Sequence, residues 1–133
     1  AAYQALAQLA SRSPEHLRPE DIYAAAIAGV DTLAMRTVQL FCGVLGSFAG
    51  NMALTVGAQG GVYIAGGIAT KILPILATSD FRQRFESKGR LRAYLTDIPV
   101  YVVTAPDIGL RGAAQFLGTR GQDHQTRTTY ADQ

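Results

Sequence analysis

Apolar residues recur with a helical period over the first half of this chain and then gather into two short continuous runs. Residues 1–12, AAYQALAQLASR, carry a helix that stops at Ser13-Pro14. A second helix starts after Pro19, with Glu20 and Asp21 at its positive end, and runs to Gly29. Asp31 is placed to cap a third, long helix reaching roughly to Val56. Gly60-Gly61 then leads into VYIA, a short strand whose one polar side-chain group is the Tyr63 hydroxyl, closed by Gly66-Gly67. IATKILPILATS follows as a helix with Pro74 inside it or ending it. Asp80 is read as the cap of a short helix, FRQRFES, and a turn at Lys88-Gly89 opens another, RLRAYLTD. Ile98 to Val103 is a second apolar strand, IPVYVV, and a last helix spans about Gly109 to Leu117.

Two apolar strands joined by a long helical crossover predict an α/β fold with a parallel βαβ unit, right-handed by the usual rule. Two strands do not make a self-sufficient sheet, so the unit is expected to belong to a larger sheet or to pair with another chain. Residues 119–133, TRGQDHQTRTTYADQ, are polar and patternless and read as a tail or linker after a domain of residues 1–118. The chain begins at Ala1, without a methionine, inside helix-like sequence, which suggests a piece of a longer polypeptide.

Composition narrows the function classes. With 48% hydrophobic residues the chain has ample material for one core. A net charge of +2 is too small to argue for nucleic acid or an anionic membrane. Arg82, Arg84, Glu86, Lys88 and Arg90 interleave the two signs and read as a solvated face. The single cysteine, Cys42, has no partner for an internal disulfide and reads as a small buried hydrophobe. No metal site is expected, since His16 and His124 lie at opposite ends of the chain without a cysteine cluster. With no signal peptide visible, a cytoplasmic location is the default expectation.

From Thr37 to Thr70 no residue is charged, long enough to raise a membrane-spanning helix. Gly57, Gly60 and Gly61 break the run, however, and its first half is two-sided. Phe41, Val44, Leu45, Phe48 and Met52 share one side of the helix, while Gln39, Gly43, Gly46, Ser47 and Gly50 share the other. No membrane span is therefore expected.

The most informative stretch for chemistry is GGVYIAGGI, residues 60–68. A strand ending in two glycines and opening onto a helix lets a ligand approach bare main chain, and nucleotides commonly bind at the carboxyl ends of parallel strands. Ala65, Gly66, Gly67 and Ile68 are the candidate nucleotide contacts, although such glycines also serve plain strand-to-helix turns. Gly43, Gly46 and Gly50 offer a second candidate, a hinge or close-approach face, with ordinary tight helix packing as the competing reading. Gly109, Gly112, Ala113 and Ala114 make a further small-residue face suited to packing on a sheet. Catalytic groups are not assigned. Asp80, Asp97 and Asp107 look like helix-end or turn residues, and no Walker A motif, GxSxG elbow or HExxH occurs.

Three segments in order, LFCGVLGSFAGNMALTVGAQGGVYIAGGI, FRQRFESKGRLRAYLTDIPVYVV and IGLRGAAQFL, resemble the C-terminal part of bacterial glucokinases of the hexokinase–actin superfamily. The combination of F-x3-F-x2-KGR, DIPV and GL-x-GAA carries the resemblance, which covers roughly residues 1 to 118. It implies the end of the large domain of a two-domain, ribonuclease-H-like kinase, an incomplete fold here. It implies that residues 60–68 are the adenosine motif, that Gly66 and Gly67 lie against the nucleotide, and that the glycine-bearing helix connects the domains and flexes as they close. The implied reaction moves the ATP γ-phosphoryl group to the 6-hydroxyl of glucose with Mg²⁺, and a homo-oligomer is expected.

In that family the phosphate loop, the catalytic aspartate and the sugar-binding residues lie earlier in the chain. His16 takes no sugar-binding role, and the segment is expected to be inactive alone. The polar tail departs from the family pattern and suits a linker to a downstream sugar-responsive regulator, which some glucokinases carry. A sugar-sensing regulator on the same fold is an alternative, opposed by the absence of a cysteine-rich zinc motif and of a helix-turn-helix. A non-catalytic interaction module that assembles through the sheet edge is another.

Overall fold

The computed structural model describes residues 1–11 and 17–128, the last ten of these by backbone alone. The expected helix stop at Ser13-Pro14 and the position of His16 lie outside the described residues, and nothing is described of the His124 side chain. The chain divides into two compact units, Ala1–Val103 and the residues from Thr104 onward.

Three helices open the first unit: α1 (Ala2–Leu9), α2 (Pro19–Ile27) and α3 (Thr32–Val56). Pro19 opens α2, where its missing N–H costs nothing, and Glu20 and Asp21 occupy the first turn as expected. Asp31 caps α3: its Oδ1 accepts from the Leu33 N–H at 2.8 Å, while Oδ2 accepts from the Tyr3 hydroxyl at 2.8 Å and ties α1 to the cap. Helix α3 stops at Gly57, whose left-handed φ of 63° lets its N–H reach Leu54 O while the Ala58 N–H reaches Ala53 O. Helix α1 ends earlier than the sequence suggested, at Leu9, with Ser11 at a φ of 55°.

Strand β1 (Val62–Ile64) and strand β2 (Val100–Val102) form a two-stranded parallel sheet, with Val62 opposite Val100, Tyr63 opposite Tyr101 and Ile64 opposite Val102. Between them run α4 (Gly67–Lys71), α5 (Leu73–Thr78), α6 (Phe81–Glu86), one 3-10 turn (Gly89–Leu91) and α7 (Arg92–Thr96). The single helix expected over 68–79 is thus two, because Pro74 has no N–H to continue α4 and instead sits in the first turn of α5. Asp80 precedes α6, yet its side chain does not cap it. Ser79 Oγ accepts from the Phe81 N–H at 3.2 Å, and Asp80 turns to Arg84, 3.0 Å away one helical turn on.

Helix α3 is the axis of the unit and packs chiefly on α6 and α2. It alone among the described residues is long and apolar enough to cross a membrane by length and composition. Nine of its residues are nevertheless buried in the unit: Leu33, Ala34, Val38, Cys42, Gly43, Gly46, Ala49, Gly50 and Ala53. The buried side is the one carrying the glycines, while Phe41, Val44, Phe48 and Met52 on the opposite side are exposed, Phe48 at 61%. Shape decides this orientation, since small residues let α6 come close enough for Phe81 and Phe85 to fill the core.

In the second unit, α8 spans Ile108–Thr128. It runs well past the end expected at Leu117, into residues read from sequence as a patternless tail. No proline interrupts that stretch, and its Gln, Arg and Asp residues are compatible with a helix. Asp107 before it has a φ of 55°, and its carbonyl accepts from the Arg111 N–H at 3.0 Å.

Candidate functional site

Strand β1 delivers the chain to the glycine pair. The ladder runs from the Val62 N–H on Pro99 O to the Val103 N–H on Ile64 O, each at 2.9 Å, so β1 is held at both ends. Beyond Ala65, Gly66 adopts φ 123° and ψ 157°, a conformation essentially reserved for glycine. The chain then turns into α4, and Thr70 Oγ1 donates to Gly66 O at 3.1 Å. A β-carbon at Gly66 or Gly67 would meet nothing within 4 Å, so both main-chain faces are open. Ala65, Gly66, Gly67 and Ile68 are all exposed and form one continuous edge at the carboxyl end of β1. Helix α4 has only five residues, so its dipole adds little, and the feature offered to a ligand is bare, approachable backbone. On the outer face of the sheet the Tyr63 and Tyr101 rings stack with centroids 5.0 Å apart.

Two of the hollows among the described residues leave the glycine pair outside. One of about 280 Å³ lies on the inner face of the sheet, lined by Ile64, Leu76, Phe81, Arg82, Val100 and Val102 among others. The other, about 370 Å³, is an apolar groove between α1, α2 and α3.

The second glycine set sits elsewhere. A β-carbon on Gly46 would fall inside contact distance of the Phe81 carbonyl, and one on Gly50 would fall inside that of the Phe85 carbonyl. At Gly43 the nearest atom is the tip of the Asp80 carboxylate, 3.0 Å from such a carbon. These residues therefore form the seat of α6 on an unbroken helix and are not adjacent to Gly66 in sequence or element. Cys42, on the same side, is fully buried, and burial pushes its thiol above the ordinary cysteine range.

The interleaved charges of α6 are not simply a solvated face. Arg82 donates from Nη1 to Ile98 O at 2.7 Å and from Nη2 to Thr96 O at 2.6 Å and Leu95 O at 3.2 Å. Its Nε pairs with Glu86 Oε1 at 2.6 Å, and the guanidinium lies 5.1 Å from the centroid of the Phe85 ring. Lys88 Nζ donates to Ser47 O at 3.0 Å, and the Tyr94 hydroxyl donates to Ala58 O at 3.1 Å, pinning the loop before β1. The sequence signal for Arg82 was its spacing of four from Glu86, but three of its partners are carbonyls 13 to 16 residues away, which no local pattern announces. Among the described residues no three His, Cys, Asp or Glu side chains converge as metal ligands would.

Residues 1–120 match a family model described as Glucokinase. The chain is 48% identical over 115 residues to the glucokinase of Hahella chejuensis, covering 86% of this chain and 36% of that protein. It is similar at 48% identity to the glucokinase of Neisseria meningitidis strain FAM18, covering 86% and 35%, and at 45% to that of Pectobacterium atrosepticum, covering 86% and 36%. A solved glucokinase from an Antarctic psychrotroph superposes with a TM-score of 0.79 at 37% identity, over 89% of this chain and 37% of that one. The chain spans about a third of the length of the curated relatives it matches.

Proposed function

This chain belongs to the glucokinase family, and from that premise we propose that it supplies one wall of the ATP site of a kinase acting on glucose. The reaction transfers the ATP γ-phosphoryl group to the 6-hydroxyl of glucose. Ala65, Gly66, Gly67 and Ile68 lie against the adenosine end of the nucleotide, away from the bond that breaks. The observation that carries the reading is the open glycine backbone at the carboxyl end of β1. Gly66 takes a conformation that other residues avoid, and no side chain of the unit fills the space before either glycine. Mg²⁺ would accompany ATP and neutralise charge at the phosphates, and among the described residues no three His, Cys, Asp or Glu side chains converge to hold it. Catalytic residues are assigned to the part of the family chain outside this segment.

Helix α3 is the connecting segment between domains, with Gly43, Gly46 and Gly50 as the hinge-side face on which α6 seats. The exposed apolar side of α3 supports assembly into a homo-oligomer. A cytoplasmic location fits an enzyme whose substrates are ATP and a free sugar.

Photolabelling tests the site. The full-length kinase carrying this segment, irradiated with 8-azido-ATP and digested, is expected to carry label within residues 60–71, reduced by excess ATP. Label confined to other peptides would remove the glycine pair from the nucleotide wall.

A further inference from the structure

We propose that Arg82 is a positioning residue for the nucleotide wall, fixing the register of the strand that leads into Gly66 and Gly67. The inference rests on the ATP-site reading given above and adds to it a residue remote from the ligand.

Helix α6 is seated against the bare backbone of α3 at Gly46 and Gly50, so its position relative to the long helix is tightly set. From α6, Arg82 reaches the end of α7 and the start of β2. Its two terminal nitrogens take the carbonyls of Leu95 and Thr96 at the end of α7 and of Ile98 in the link to β2, and the Leu95 carbonyl also accepts from the Ile98 N–H at 3.1 Å. Glu86 is 13% exposed and aligns the fork through Nε. The Ile98 carbonyl stands one residue before Pro99, whose carbonyl takes the first ladder bond from the Val62 N–H. Arg82 thus anchors β2 at its entry, and β2 in turn anchors β1.

The strands need such an anchor because each is only three residues long. A slip of one residue would turn the half-buried Val100 and Val102 outward and bring Tyr101 in, and few ladder bonds resist it. Two residues past the last paired position of β1 stands Gly66. Any loosening at the β2 entry therefore reaches the backbone that faces the nucleotide. The charge on Arg82 matters less than its planar fork, since three separate carbonyls are held at once, which a single ammonium does not reproduce.

The test uses Arg82→Lys in the full-length kinase, with kcat, the KM for each substrate and the melting temperature measured together. Hydrogen exchange at the Val62 and Val103 amides is followed in parallel. Loss of one or two charge-assisted bonds is expected to raise the KM for ATP about tenfold, with the KM for glucose unchanged. The two ladder amides should exchange faster, while those of α3 stay protected. Unchanged ladder exchange and an unchanged KM for ATP in a folded variant would overturn the inference. A lowered melting temperature with both KM values intact, or an equal rise in both, would also overturn it, marking Arg82 as structural only. If Arg82→Lys does not fold, Glu86→Gln is read the same way, with a smaller rise expected. The ATP-site reading is tested separately by Gly67→Val. A raised KM for ATP there with none in Arg82→Lys sinks the positioning role alone, and no effect in Gly67→Val sinks the site itself.

Discussion

Gly46 faces α6 and Gly43 faces Asp80 just before it, and adding one methyl group to each should have unequal effects. At Gly46 the new carbon would meet the backbone of Phe81, including its α-carbon at 3.0 Å, and backbone in a packed core does not give way. At Gly43 it would meet only the tip of the Asp80 side chain, which can swing aside. Gly46→Ala is therefore expected to destabilise the protein by about 1–3 kcal/mol. Gly43→Ala should be neutral, or stabilising by up to about 1 kcal/mol through helix propensity. Urea melts of the two variants beside the parent protein check this, and equal effects would show that the α3–α6 contact is loose. Spacing alone revealed that these glycines share a face. It did not reveal what lies on them, because the partners Phe81 and Phe85 are some 35 residues away and their approach is set by tertiary packing. Cys42 was legible as a buried hydrophobe, whereas Arg82 was not legible at all as a carbonyl clamp.

Among the elements, those governed by local chemistry matched the sequence. The Asp31 cap, the α3 stop near Gly57, the proline start of α2 and both strands follow from residues adjacent to them. Where two local signals competed, the structure chose between them. Ser79 and not Asp80 caps α6, since Asp80 has Arg84 as an ion-pair partner one turn away. Pro74 splits one expected helix into two. The end of α8 departs furthest, because a polar, uninterrupted stretch gives neither a stop signal nor an apolar stripe to read. The Asp31 cap has a second duty, accepting the Tyr3 hydroxyl and so joining α1 to α3. Asp31→Ala should cost about 1–2 kcal/mol, as for other N-cap losses. Asp31→Asn, which keeps an oxygen for the Leu33 N–H, should retain most of that stability in a thermal melt. Equal loss in the two variants would place the effect on the carboxylate charge and not on the cap.

At the scale of the whole molecule, a parallel pair of three-residue strands does not make a complete sheet architecture. The family relation accounts for this, since the chain matches about a third of its relatives' length. The parallel sheet, the helical crossover and the glycine-ended strand were legible in the sequence, as was the family itself. Burial of the α3 glycines was legible as one of two readings of their shared face, whereas the outward turn of Phe41, Val44 and Phe48 was not legible. Hydrophobic patterning ranks residues by solvent preference and carries no information on which side a partner helix needs to come closest.

Gly67→Val in the full-length kinase probes whether the glycine pair after β1 is the nucleotide wall. Gly67 lies at ordinary φ, and a β-carbon there meets open space, so the fold has room for the new side chain. The variant is expected to fold, with a KM for ATP raised about tenfold or more, equivalent to at least roughly 1.4 kcal/mol of lost binding, and with the KM for glucose unchanged. A folded Gly67→Val variant with the parent KM for ATP would contradict it.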